Sequence, residues 1–303
     1  MYKISVAICT YNRERYLPQL FESIRKQTIP REYFELILIN NNSPGNTKEL
    51  FENFIAANPD IRSTYADEFN QGLSFARNTA ISKATYPLIT FLDDDAFISE
   101  NYLEEVIRAF ETHPDMHALG GKIRLHYESI VPSWENKYLN SLLGYFNKGD
   151  NSFWFTSRDY PRGSNMAFKT DVFKKIGGFD TNLGRIGKKM TGGEEKELFN
   201  RIYASKLNVF YSPDAIVYHC VPVERTTSSF IRKQAIGTGM SERQRTLSQG
   251  IISYGKRLVI EAFKWGASFI LWGYYLLSFH PAKGTMILAF RWWVSLGLIG
   301  KKI

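Results

Sequence analysis

Three short apolar runs govern what this chain can become. Ile4-Ser-Val-Ala-Ile-Cys9, Glu35-Leu-Ile-Leu-Ile39 and Pro87-Leu-Ile-Thr-Phe-Leu92 are brief and aliphatic, and each ends on a polar cluster. Continuous rather than alternating hydrophobicity marks strands buried on both faces, as in a parallel sheet covered by helices. Helical spacing lies between and after them: Leu17, Leu20, Phe21 and Ile24, then Leu50, Phe51, Phe54 and Ile55, then 73–82 and about 101–112. A further short strand is expected near 62–65. The first 110 residues therefore read as an α/β, doubly wound, mostly parallel sheet. Ligands in such sheets sit outside the C-terminal ends of the strands. Thr10-Tyr-Asn-Arg13, Asn40-Asn-Asn-Ser43 and Asp93-Asp-Asp95 all fall there, so three polar clusters are expected to meet on one edge.

The middle of the chain is mixed. Strands are expected at 117–123, 165–168, 207–211 and 216–219, with helices from Asp171 and over 194–205, and loops at 177–180 and 184–193. A length of 303 residues allows one large α/β domain or two small ones. With 44% hydrophobic and 22% charged residues, intrinsic disorder is excluded. Cys9 and Cys220 are far apart and neither forms a C-x-x-C, which argues against zinc clusters and thiol redox chemistry. No G-x-G-x-x-G follows the first strand, and no P-loop or G-x-S-x-G elbow occurs. The run 4–9 is too short for a signal peptide, so a cytoplasmic location is expected.

Charge is unevenly placed. Residues 1–230 hold 27 Lys+Arg against 28 Asp+Glu, whereas 231–303 hold 11 against only Glu242 and Glu261. That basic quarter also carries Phe263, Trp265, Phe269, Trp272, Tyr274, Tyr275, Phe279, Trp292 and Trp293. Its uncharged run 265–279 falls short of the roughly 20 residues that span a bilayer. Basic and aromatic residues beside aliphatic stretches fit a helical segment lying in a membrane interface better than a nucleic-acid site. A span or hairpin, and an apolar face buried within the protein or a homo-oligomer, are the alternatives.

Chemistry is concentrated in acidic groups. Asp93 and Asp95 are two apart, so an extended segment would aim both carboxylates the same way. Paired carboxylates repel unless a cation lies between them, and hard oxygen ligands select Mg²⁺ or Mn²⁺. A solvated turn is the bland alternative, but the position after a buried strand favours the ligand reading. In Gly192-Gly-Glu-Glu-Lys-Glu-Leu198 two glycines lead into an acidic helix start. That pattern is an ordinary dipole complement or a carboxylate placed as general base. His219 closes the apolar run 216–218 and is either structural or a nitrogen ligand. His113, His117, His126 and His280 have no comparable setting.

Taken together, these pieces resemble family 2 glycosyltransferases with a GT-A fold. The resemblance rests on 5–13, Leu38-Ile-Asn-Asn-Asn-Ser43, 70–78, Phe91-Leu-Asp-Asp-Asp95, Gly163-Ser-Asn-Met-Ala167, Gly177-Gly-Phe-Asp180, Gly193-Glu-Glu-Lys-Glu-Leu198 and Val217-Tyr-His219, and covers about 5–225. It implies a catalytic domain over 1–225, with a nucleotide-binding half (1–112) and an acceptor half (113–225); the stretch 226–303 reads from its basic, aromatic composition as a helical membrane-associating region. The resemblance implies that Thr10, Tyr11, Arg13, Asn40, Arg77, Asp93 and Asp94 bind a nucleotide-diphosphate sugar, with Asn78 beside Arg77. Asp93, Asp95 and His219 would hold Mn²⁺ or Mg²⁺. Glu195 stands where the family usually has an Asp base, with Glu194 as support or substitute. Asn40 stands where the family usually has an Asp; uracil is the expected base, with guanine and thymine open. The reaction implied is inverting sugar transfer to a glycan or lipid-linked acceptor for surface polysaccharide, at the inner face of the cell membrane. Trp154, Tyr160, the stretch 134–160 and the loop 184–193 would shape the acceptor side. A non-catalytic sugar-nucleotide binder and a nucleotidyltransferase are the competing readings.

Overall fold

A computed structural model describes residues 1–157, 159–185 and 192–301. Most of the loop expected over 184–193 lies outside the described residues. The described residues divide into two compact units.

The first unit comprises Met1–Arg124 and Phe146–Cys220. It begins with β1 (Ile4–Thr10), α1 (Leu17–Arg25), β2 (Phe34–Asn40), α2 (Thr47–Ala57), β3 (Arg62–Asp67), α3 (Leu73–Lys83) and β4 (Leu88–Asp93). The strand–helix alternation expected from the apolar runs is present. These strands pair in parallel in the order β3-β2-β1-β4. Every residue of β2 is buried, as a strand covered on both faces requires.

The sheet then continues with antiparallel strands. β5 (Ala96–Ile98), α4 (Tyr102–Thr112), β6 (Met116–Tyr127), β7 (Phe153–Trp154), β8 (Met166–Lys169), α5 (Asp171–Ile176), α6 (Glu194–Ala204) and β9 (Asn208–Val221) follow in sequence. Across the sheet the order runs on as β8-β6-β9-β5, with β7 beside β9. Two strands expected at 207–211 and 216–219 are thus one. Pro213 does not break it. β7 pairs with Phe210 and Tyr211, and β5 with 217–219, so Pro213 falls in the gap between these two partners.

One buried amide ties this half together. Asn165 is fully buried; its Nδ2 donates to the carbonyls of Lys122 (3.0 Å) and Ala215 (2.8 Å), and its Oδ1 accepts the Tyr102 hydroxyl at 3.0 Å. Gly121 leaves room for it, since a Cβ there would stand 2.6 Å from Nδ2 and 2.1 Å from the Ala215 carbonyl oxygen.

The second unit comprises Leu125–Tyr145 and Val221–Ile303. It is built on α7 (Ser228–Ser248), α8 (Ile251–Leu277) and α9 (Pro281–Leu298). Trp134, Leu139, Leu143, Ile231, Met286 and Ile287 form its core. α7 and α9 approach closely at two glycines: a Cβ on Gly239 would lie 2.1 Å from the Val294 carbonyl, and one on Gly297 2.2 Å from that of Ile236.

Replacing Asn165 by Ala removes one hydrogen bond from each of two buried carbonyls and one from the Tyr102 hydroxyl, which keeps Thr90 at 2.8 Å. Asn165→Ala should cost about 2–4 kcal/mol of stability in urea unfolding. A loss under about 0.5 kcal/mol would mean that this amide does not hold the antiparallel half.

Candidate active site

The site is built on the C-terminal edge of the parallel strands. Register sets Thr10 beside Asn40, Asn40 beside Asp67, and Cys9 beside Asp93. The three polar clusters expected to converge there do so. After β1 the chain turns at Asn12, whose φ of 54° is a left-handed value that Asn tolerates. The Asn12 N–H donates to Ser43 Oγ at 3.0 Å and joins the first cluster to the second.

The aspartate triplet is not extended. β4 ends at Asp93, and Asp94 and Asp95 turn the chain into β5. The expectation that Asp93 and Asp95 project together from one extended strand is therefore corrected, and the three carboxylates take separate partners. Asp93 Oδ1 lies 3.6 Å from Arg77 Nη2. Asp94 Oδ2 accepts the Thr10 hydroxyl (2.8 Å) and the Tyr11 N–H (3.3 Å). Asp95 pairs with Arg13, and its Oδ1 lies 3.3 Å from His219 Nδ1. His219 arrives there because β9 sets it opposite Ala96, and the Cys220 N–H donates to the Asp95 carbonyl at 2.8 Å. Burial, then the neighbouring Asp95, pushes the Asp94 carboxyl up to about 7 against the pull of Arg13 and Thr10. Burial likewise pushes the Cys9 thiol up to about 12, so Cys9 is a neutral filler and not a nucleophile.

Arg77, on α3, joins the acidic edge to α6. Its side chain is only 2% exposed. Besides Asp93, it reaches Glu194 Oε1 through Nη1 (3.3 Å) and Glu195 Oε1 through Nη2 (3.5 Å). Phe179 covers the guanidinium at 5.2 Å from the ring centre. The two glutamates differ in setting. Glu194 is packed against the guanidinium with 6% of its side chain exposed, whereas Glu195 keeps 24% exposed. Burial holds the Glu195 carboxyl above the usual carboxylate range; Arg77 opposes this, and Glu194 and Asp93 add to it. Gly163 makes the arrangement possible. A Cβ at that position would stand 1.8 Å from Glu195 Oε1 and 2.6 Å from Arg77 Nη2.

Other expected residues fall elsewhere. Asn78 does not turn to the acidic edge: its Nδ2 donates to the Phe179 carbonyl (2.9 Å) and its Oδ1 accepts the Phe179 N–H (2.7 Å). It thereby fixes the ring that covers Arg77. Asn40 is engaged at both ends, donating to Asp67 Oδ1 and accepting the Ser43 N–H, each at 2.9 Å. Asp67 is an acidic residue of this edge that the sequence reading missed. β3 is half-exposed and lacks an apolar run, so nothing in its own sequence marked its end. Asn41 was likewise overlooked; it is buried, and its Oδ1 accepts the Gly72 N–H at 2.8 Å, fixing the approach to α3. Trp154 packs edge-on against His113 and Phe210, and Tyr160 stacks on Phe199.

Among the described residues no group of three His, Cys, Asp or Glu is arranged to hold a metal ion. Asp95 and His219 nevertheless bring one carboxylate oxygen and one imidazole nitrogen together, a donor pair that suits Mn²⁺ or Mg²⁺ when phosphate oxygens complete the shell.

Comparison with known proteins agrees with this architecture. The family model for glycosyl transferase family 2 matches residues 5–177. A glucosyl-dolichyl phosphate glucuronosyltransferase of Haloferax volcanii is 29% identical over 244 residues, covering 80% of this chain and 76% of that protein. The succinoglycan biosynthesis protein ExoM of Rhizobium meliloti is 26% identical over 245 residues, covering 78% and 73%. Among solved structures, mannosyltransferase PcManGT from Pyrobaculum calidifontis, in complex with GDP-Man and Mn²⁺, superposes with a TM-score of 0.65 at 17% identity, covering 100% of this chain and 88% of that one. S. aureus TarS 1–349 in complex with UDP gives 0.55 at 19% identity, covering 78% and 65%. The fold is the GT-A fold of these neighbours.

Removing Arg77 leaves Asp93, Glu194 and Glu195 facing one another with no shared cation. Arg77→Met should destabilise the protein by about 3–5 kcal/mol at neutral pH. The deficit should shrink as pH falls and the carboxylates take up protons. Equal deficits at pH values near 7 and 5 would contradict the shared-cation reading.

Proposed function

The chain belongs to glycosyl transferase family 2, and from that premise we propose that it moves a sugar, with inversion, from a nucleoside-diphosphate sugar to a hydroxyl of a glycan or lipid-linked acceptor. The observation that carries this reading is the single guanidinium of Arg77 touching both Asp93 and Glu195. It puts a cation-ready acidic edge and a half-open carboxylate within one side chain of each other.

The contacts support the following roles. Thr10, Tyr11, Arg13 and Asn40 lie on the strand edge where a nucleoside would rest, with Asp94 fixing Thr10 and Tyr11. Asp67, held by Asn40, adds an acceptor there. The UDP bound by TarS and the GDP-Man bound by PcManGT support a nucleotide sugar as donor; uracil is the base proposed. Asp95 and His219 are the residues that would hold Mn²⁺ or Mg²⁺, with Asp93 nearby. Such an ion, when bound, stabilises charge on the departing diphosphate.

Glu195 is the general base and Glu194 its support. Its carboxylate takes the acceptor hydroxyl proton as that oxygen bonds to the anomeric carbon. The anomeric carbon–oxygen bond to the diphosphate breaks, and its electron pair leaves with the nucleoside diphosphate. A carboxyl held above its usual range is closer to the proton affinity that base catalysis needs near neutral pH. Arg77 opposes that rise. The similarity to a glucosyl-dolichyl phosphate glucuronosyltransferase and to a succinoglycan biosynthesis protein supports a role in surface-polysaccharide or glycolipid synthesis; the inner face of the cell membrane is the location proposed.

A panel of nucleotide sugars with Mn²⁺ or Mg²⁺ tests the reaction class. Release of nucleoside diphosphate is expected. Release of pyrophosphate would indicate a nucleotidyltransferase, and binding without turnover a non-catalytic protein. Glu195→Gln should lower turnover about 10²–10⁴-fold while donor affinity stays within about twofold; full activity would move the base elsewhere. In the wild type, kcat/KM should fall with decreasing pH, its midpoint above the ordinary glutamate value of about 4.3. A midpoint at or below that value would contradict the environment assigned to Glu195. Asp95→Ala and His219→Ala should each abolish metal-stimulated donor binding, and unchanged stimulation would remove them from the metal site.

A further inference from the structure

The second unit contains a helix turned inside out. In water a surface helix buries its apolar stripe and exposes its charges. α8 does the reverse. Its buried positions are Arg257, Glu261 and Ser268. Its outward positions include Ile252, Val259, Phe263, Ile270, Tyr274 and Leu277, which recur at intervals of three, four and seven and so share one face. Phe263 and Ile270 are 76% and 75% exposed, whereas Glu261 is 4% exposed.

The inward polarity is organised rather than incidental. Arg257 Nη1 donates to Glu261 at 2.8 Å and its Nε to Glu242 at 3.0 Å. Arg291 of α9 donates to the other Glu261 oxygen at 3.1 Å, and Trp265 Nε1 to Ser295 Oγ at 3.0 Å. A helix face that leaves aromatic and aliphatic side chains outside is matched to an apolar medium.

Charge identifies that medium. Glu242 and Glu261 are the only acids in 231–303, and both are spent on Arg245, Arg257 and Arg291. Lys256 and Lys264 of α8 and Arg232, Lys233 and Arg243 of α7 remain exposed. A second copy of the chain would bring like charges together, whereas anionic lipid headgroups would neutralise them. Among the described residues no helix is long and apolar enough to cross a membrane, so the helix would lie in the interface.

We propose that the outward face of α8 is a docking surface for an anionic lipid bilayer, its apolar side chains at the headgroup–acyl boundary and its lysines among the headgroups. This deepens the location in the proposed function, and rests on that reading only for the side of the membrane, not for the binding itself. The test therefore uses no donor or acceptor: the full chain is floated with vesicles of phosphatidylcholine alone or with phosphatidylglycerol added. Binding is expected to the mixed vesicles and to weaken with salt. Phe263→Glu with Ile270→Glu should lower partitioning about tenfold or more, and Lys256→Glu with Lys264→Glu should remove the preference for phosphatidylglycerol. Both pairs are exposed in the structure, and unchanged circular dichroism would verify their folding. Without any substitution, brominated acyl chains should quench tryptophan fluorescence of the bound wild type. Wild-type protein that fails to float, an apolar-face variant that floats equally well, or a dimer that the same variant dissociates would each overturn the proposal.

Discussion

A single buried guanidinium organises the first unit. Arg77 cannot lose its proton, so its burial is tolerable only with carboxylates around it. Those carboxylates come from β4 and from the first turn of α6, more than a hundred residues later. The parallel strands and the start of α6 are thus locked by one charge cluster, and the cluster is also the place where chemistry can occur. The same cation opposes the upward push that burial, and then Glu194 and Asp93, exert on the Glu195 carboxyl. Gly163, Asn78, Phe179 and Asn41 serve this arrangement by leaving space for the guanidinium, covering it or fixing α3.

The two units solve opposite solvation problems. In the first, the apolar strands are buried and the polar groups gather at a strand edge. In the second, α8 buries Arg257 and Glu261 and turns much of its apolar surface outward, beside the exposed Lys256 and Lys264. The proposed docking surface, joined to the unit that carries the proposed site, would suit acceptors that are themselves held at a membrane.

Much of the fold was legible because buried parallel strands write themselves as unbroken apolar runs. β1, β2 and β4 and the convergence of their ends followed from that fact alone. β3 was less clear, and Asp67 was lost with it, because a half-exposed edge strand has no such run. The two-residue β7 and three-residue β5 are too short to have a period, and the proline in β9 reads as a break until its partners are known. At the site, residue identities carried further than orientations. Asp93, Asp95, Glu195 and His219 were readable as a set, but the turn at Asp94–Asp95 and the bridging role of Arg77 depend on contacts across the chain. The inversion of α8 was equally hidden, since composition shows that aromatic and basic residues are present but not which of them face inward.

The central claim is that the acidic strand edge and Glu195 flank one sugar. A crystal structure with a bound nucleotide sugar and Mn²⁺ tests it most directly. The account requires the diphosphate beside Asp93 and Asp95, with the anomeric carbon on the side facing Glu195. A donor whose sugar points away from Glu195, with the Arg77 cluster intact behind it, would contradict the account.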